Sequence, residues 1–204
     1  RASKHTPEPN PNHVSAPQTK IFLIDGTALC YRAFYAIRML ATSEGRPTNA
    51  VYGFVRMLNA LRDAQHPEYL AVAFDAGKPT FRHERFRDYK VQRKPMPDPL
   101  ISQLPVIREA LDAYRVPVFQ LEGYEAEDLL ATITKRLAGP QHEVVLVTGD
   151  KDLLQLVGPH VTVYDPYKHD LRMDVQAVEA RYGIPPQRVV DLLALMGDDV
   201  DNIP

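Results

Sequence analysis

Nine carboxylates occupy positions from which they could act together. Asp25 follows the apolar run IFLI, Asp75 follows YLAVAF and Asp150 follows VVLVTG, so each comes directly off a stretch that reads as a strand. Glu125, Glu127 and Asp128 open a helical pattern in EGYEAEDLLA, Asp152 lies two residues past Asp150, and Asp198 and Asp201 sit in MGDDVDN. A spacing of three places Glu125 with Asp128, and Asp198 with Asp201, on a shared helix face. Taken singly, each acid has an ordinary explanation as a turn former, a helix cap or an acid-rich helix start. Their regular placement after successive strands is what sets them apart. In an open α/β sheet the carboxyl ends of the strands define the ligand crevice, and mutual repulsion opposes so many acids there unless hard divalent cations neutralise them.

A second group carries the opposite charge. From Lys78 to Lys94 seven cations stand against Glu84 and Asp88, a net +5. Arg82, Arg85, Arg87, Lys90, Arg93 and Lys94 are interleaved with Phe81, Phe86 and Tyr89, a mixture suited to gripping phosphates and stacking on unpaired bases. A solvated charged face is the plain alternative. His83 lies inside this segment and reads as a structural contact, not a zinc ligand.

The elements that must position these residues follow from periodicity. Strands are expected at Ile21 to Ile24, Tyr69 to Phe74, Val116 to Leu121, Val144 to Thr148 and Val161 to Tyr164. Val51, Phe54, Val55, Leu58 and Leu61 repeat at helical spacing, as do Leu129, Leu130, Ile133 and Leu137. Continuous apolar strands separated by helices indicate an α/β chain with a mostly parallel sheet covered on both faces. The basic segment interrupts that rhythm as an insertion over about residues 78 to 105, punctuated by Pro95, Pro97 and Pro99, after which Leu104, Ile107 and Leu111 resume a helix.

Composition narrows the function classes. The chain has 204 residues, 45% hydrophobic and 25% charged, and a net charge of −2, which excludes a uniformly basic protein that coats nucleic acid by charge alone. No apolar run approaches the roughly 18 residues of a membrane span, and the N-terminus has no signal-peptide core. The single cysteine, Cys30, excludes an internal disulfide or a cysteine-rich zinc site and fits a reducing cytoplasm. Residues 1–17 hold four prolines and few apolar side chains, so a disordered, dispensable tail is expected ahead of a core over 18–204.

Six ordered segments carry a resemblance: LIDGTALCYRAFYA, RPTNAVYGF, AFDAGKPTFRHE, EGYEAEDLLA, VTGDKDLLQLV and LLALMGDDVDNIP. Together they resemble the 5′-nuclease domain of bacterial DNA polymerase I, in the flap-endonuclease superfamily. The resemblance implies a PIN-like α/β core with a basic helical arch over the active site. It further implies that Asp25, Asp75, Glu125, Glu127, Asp128, Asp150, Asp152, Asp198 and Asp201 bind two Mg²⁺ or Mn²⁺ ions. Glu127 stands where an Asp is usual. Lys90 is similar to the lysine that reaches the scissile phosphate, and Arg82 lies in the FRHE segment; both are expected to be catalytic. DNA binding is expected from Arg82, Arg85, Arg87, Tyr89, Lys90, Arg93 and Lys94.

The implied substrate is DNA with 5′ flaps, nicks or 5′ ends, RNA primer strands included. The implied setting is replication and repair in the bacterial cytoplasm, at the nucleoid, by a monomer without membrane attachment and with a polymerase domain possible on the same polypeptide. The family continues past DNIP into a helix-hairpin DNA-binding motif, so weak duplex binding is expected of a chain lacking it. Rival readings are a stand-alone PIN-class RNA nuclease, which the basic aromatic segment disfavours, and a catalytically silent DNA-binding module. A phosphatase of the D-x-D-G-T type is disfavoured because Leu23 stands where its nucleophile would.

Overall fold

The structure is a computed structural model that describes residues 18–77, 79–197 and 201–202. The tail 1–17, Lys78 and Asp198 lie outside the described residues. The apolar runs form β1 (Thr19–Asp25), β2 (Tyr69–Ala73), β3 (Val118–Phe119), β4 (His142–Val147) and β5 (Val161–Asp165), followed by β6 (Leu171–Met173). They build a six-stranded sheet in the order β3-β2-β1-β4-β5-β6. The first five strands pair in parallel and β6 runs antiparallel to β5. The order reverses at β1 and β4, so the switch-point crevice opens where Asp25 and the Thr148–Asp150 turn leave the sheet.

Helices α1 (Gly26–Ala36), α2 (Asn49–Gln65), α4 (Asp98–Ile101) and α5 (Leu104–Ala113) cover one face. Helices α6 (Ala126–Leu137), α7 (Val175–Tyr182) and α8 (Val189–Met196), with a 3-10 turn at Asp152–Leu156, cover the other. Alternation along β1 feeds both cores: Phe22 and Ile24 pack with Leu29, Phe54 and Ile107, whereas Ile21 and Leu23 pack with Leu130 and Val178. Each such side chain, fully buried, contributes on the order of 1.5–3 kcal/mol. Gln103 is a polar member of the first core. Its Oε1 accepts from the backbone N–H groups of Ala50 (2.8 Å) and Val51 (3.2 Å), capping α2 where Thr48 makes no side-chain cap.

Three departures from the sequence expectations have local causes. The strand expected over 116–121 contracts to Val118–Phe119, because Val116 is drawn into the core beside α5 and Pro117 has no N–H to give a ladder. The hairpin strand β6, which falls outside the expected strands, is only three residues long, and the turn before it, opened by Asp165-Pro166, uses left-handed His169 (φ 51°) and Asp170 (φ 54°). In the basic segment, helix is confined to α3 (Phe81–Arg85) and α4. Between them the chain turns over residues 87–92, where Lys90 adopts φ 51°, and Pro95 and Pro97 keep it extended, so the stretch joining the two helices is not helical.

Candidate metal and nucleic-acid site

Asp25 ends β1 and caps α1: its Oδ1 accepts from Ala28 N at 3.0 Å and its Oδ2 accepts from the Thr148 hydroxyl at 3.1 Å. Thr148, fully buried at the end of β4, also accepts the N–H of Asp150 at 3.1 Å, so one hydroxyl joins the acids of two strands. Asp150 in turn accepts the N–H of Asp152 at 2.9 Å. Asp75, after β2, accepts from Ala126 N at 2.7 Å, which ties the start of α6 to the same crevice, and its own N–H donates to Thr27 Oγ1. From that helix start Glu127 projects toward β4, and carboxylate oxygens of Glu127, Asp150 and Asp152 lie within 4.8 Å of one another.

Burial and crowding hold two acids of this half of the site above their ordinary values. Asp25 is pushed up to about 7, chiefly by burial and then by the charges of Asp75 and Asp150. Glu127 is pushed up to about 8 by burial, with Asp150 the next cause. The donors of this grouping are all carboxylate oxygens at a spacing one cation can share, so the residues fit a divalent metal that accepts oxygen ligands.

Glu127 and the remaining acids meet the arch. Lys90 Nζ lies 3.0 Å from Glu125 Oε2 and 3.5 Å from Asp201 Oδ1, and the Lys90 N–H donates to the Asp201 carbonyl. Tyr89 OH donates to the same Glu125 oxygen at 3.1 Å. Arg82 spans Glu127 (2.9 Å) and Asp128 (2.7 and 2.9 Å), and Asp128 also accepts the Glu125 N–H to close the helix-start capping box. Burial disfavours both cations, but the hydrogen bonds of Lys90 with Tyr89 and of Arg82 with Asp128, together with the surrounding carboxylates, outweigh it; both are held above their ordinary values.

Eight of the nine expected acids therefore converge, and Asp198 lies outside the described residues. The cationic residues are placed less uniformly. Lys90 and Tyr89 are buried among the acids, and Arg82 is half-buried there, whereas Arg85, Arg87, Arg93 and Lys94 stay exposed. Arg85 lies 5.8 Å over Phe81 and Arg93 5.6 Å over Tyr31. A cavity of about 440 Å³ beneath the arch is lined by Tyr31, Phe74, Asp75, Lys90 and Arg93. His83 caps α3 through Nδ1, which accepts the Thr80 N–H, in keeping with a structural role.

Sequence reasoning did not single out Thr148, Thr27 or Arg32. Arg32 grips Asp165 with both bonds (2.8 and 2.9 Å) and lies so close over Gly149 that a Cβ there would sit 2.6 Å from its guanidinium. The threonine and glycine in VTGD, between strand and acid, were the available signal.

A mostly parallel α/β sheet thus carries a carboxylate cluster at its switch point, beneath a basic arch. The chain belongs to the family described as 5′-3′ exonuclease, N-terminal resolvase-like domain, matched over residues 20–183. It is 46% identical over 194 residues to DNA polymerase I of Bacillus caldotenax, covering 91% of this chain and 21% of that protein. It is 42% identical over 184 residues to the 5′-3′ exonuclease of Aquifex aeolicus, covering 90% of this chain and 63% of that one. The chain thus spans about a fifth of the polymerase and under two thirds of the exonuclease. In fold it matches a structure of T5 5′-exonuclease with divalent metal ions (zinc) bound, with TM-score 0.72, 22% identity and coverage of 91% of this chain and 69% of that one.

Proposed function

We propose that the chain is the catalytic core of a structure-specific 5′-nuclease that hydrolyses DNA phosphodiesters at 5′ flaps, nicks or 5′ ends, using two Mg²⁺ or Mn²⁺ ions. The observation that carries this reading is the Glu127–Asp150–Asp152 constellation, flanked by Asp25 and Asp75 and faced by Lys90 and Arg82. Asp25, Asp75, Glu125, Glu127, Asp128, Asp150, Asp152, Asp198 and Asp201 would hold the ions. Bound there, divalent cations supply an activated water and stabilise the leaving oxygen.

The chain's own residues prepare the rest. Thr148 holds the Asp25 carboxylate and the backbone N–H of Asp150, and the Asp150 Oδ1 is held by the Asp152 N–H, so both carboxylates are already oriented. Lys90 and Arg82, now paired with Glu125, Asp201, Glu127 and Asp128, are poised to exchange those partners for phosphate oxygens and so offset charge that develops during displacement. The paired carboxylates keep both cations charged until that exchange. Arg85, Arg87, Arg93 and Lys94 line the outer approach as phosphate contacts.

In the proposed setting the domain works as the N-terminal part of a DNA polymerase I, as a monomer in the bacterial cytoplasm on nucleoid DNA, removing RNA primers and damaged strands. A labelled 5′ flap incubated with and without Mg²⁺ tests the reading, with Asp150→Asn as the paired variant. Mg²⁺-dependent cleavage by the wild type and none by Asp150→Asn is the expected result, with the melting temperature of the variant in EDTA unchanged or higher because a repelling charge is gone. Normal turnover by Asp150→Asn would overturn the site assignment.

A further inference from the structure

A cavity of about 450 Å³ reaches from Asp150 and Asp152 to the β5–β6 hairpin and α7. Its far end has a composition that the acid cluster lacks. Leu171 and Met173 of β6 and the half-buried Tyr182 give it an apolar, aromatic lining, and Lys168 and Arg181 add two exposed cations. The left-handed pair His169 and Asp170 turns the hairpin just after Lys168. Lys168 Nζ stays 3.9 Å from Asp165, whose oxygens are already gripped by Arg32, so its charge is only weakly compensated. Arg181 lies 5.5 Å over the Tyr182 ring and, among the described residues, has no carboxylate in ion-pair range.

An aromatic ring with apolar neighbours offers a face to a nucleobase, and two adjacent cations offer partners to its phosphate. A free anion would not use the apolar lining, and a fully paired duplex would present no base face to Tyr182. We propose that this end of the cavity is a subsite for one unpaired nucleotide of the strand whose neighbouring phosphodiester lies at the acids. The base rests on Tyr182 and Leu171, which are backed by the buried Met173, and the phosphate sits between Lys168 and Arg181. The identity of the occupant rests on the nuclease reading, and the cavity's continuity with Asp150 supports placing it next to the reacting bond.

The test uses a Lys168→Ala/Arg181→Ala double variant, Tyr182→Leu, and Arg136→Ala on α6 as a cation control outside the cavity. The probes are a short 5′-phosphorylated single-stranded DNA and a blunt duplex, titrated in EDTA so that affinity is read without cleavage. The double variant is expected to bind the single strand more weakly and to lower the salt slope of log affinity by about 0.7 for each phosphate that is no longer neutralised. Tyr182→Leu is expected to weaken single-strand binding about fivefold or more. The blunt duplex should bind both as well as it binds wild type, and Arg136→Ala should match wild type on both probes. Unchanged single-strand affinity, equal losses on the two probes, or an equal loss in Arg136→Ala would overturn the subsite. If Tyr182→Leu melts early, the double variant, whose residues are exposed, decides alone. The nuclease reading fails by a different result, absence of Mg²⁺-dependent flap cleavage by the wild type, which leaves these titrations readable.

Discussion

Thr148 shows how much of this site depends on single hydroxyls and ammonium groups. Its side chain donates to Asp25 and accepts from Asp150 N in a place with no access to water, so removing it strands both partners. Thr148→Val, which keeps the shape, should lower metal affinity or cleavage by about 10- to 100-fold, and Thr148→Ser should restore most of it. Calorimetric Mn²⁺ titration alongside flap cleavage checks this; a Ser variant as poor as the Val variant would point to packing, not the hydroxyl. In the proposed mechanism Lys90 acts by charge. Lys90→Ala should slow single-turnover cleavage by about 100-fold, the scale of removing one charge-stabilising donor, with a smaller effect on DNA affinity. A fall in affinity with an unchanged rate would reduce Lys90 to a backbone contact.

The junction of β1 and α1 sets the direction of Asp25, and Gly26 makes that junction possible. A Cβ at Gly26 would meet Val72 Cγ1 and Phe74 Cζ at 2.7 Å, so the helix starts against β2 with no room for a side chain. Gly26→Ala should cost about 1–3 kcal/mol by overpacking and should depress cleavage, because the shift falls on the acid next to it. Gly158→Ala, where nothing lies within 4 Å, is the matched control and should be near neutral. Urea unfolding of the two variants decides the point, and equal stability would mean that the neighbours of Gly26 yield freely.

The molecule as a whole carries a carboxylate cluster whose electrostatics oppose its fold without metal. Asp25 and Glu127 are held near 7 and 8 by burial first and neighbouring acids second, above their unfolded values. A folded-state value above the unfolded one means that the native state binds more protons between the two, so these groups stabilise at low pH and that contribution is lost as pH rises through about 7 to 8. In EDTA the melting temperature should therefore rise as pH falls from about 8 to about 5. Mg²⁺ should flatten or reverse the trend, since binding needs the ionised carboxylates. A metal-free melting temperature that drops on acidification across that window would contradict the crowding of charge around Asp25 and Glu127.

The strands, the core-facing helix positions and the delivery of Asp25, Asp75 and Asp150 to one sheet edge follow from short-range pattern, because burial on a parallel sheet demands continuous apolar runs whose ends must be polar. The basic insertion and the family resemblance are equally legible, being matters of residue type and order. What pairs with what is not. Thr148 and Asp25 meet across 123 positions, and Arg82 reaches Asp128 across 46, so their hydrogen bonds exist only once β1, β4 and α6 are packed. The same holds for the partial neutralisation of the acids by the arch, for the short β6 hairpin, and for the meeting of Lys168 with Arg181 in one cavity. Local periodicity reports which face of an element is buried; only closure of the sheet determines which distant side chains share that interior, and with it how each charge is compensated.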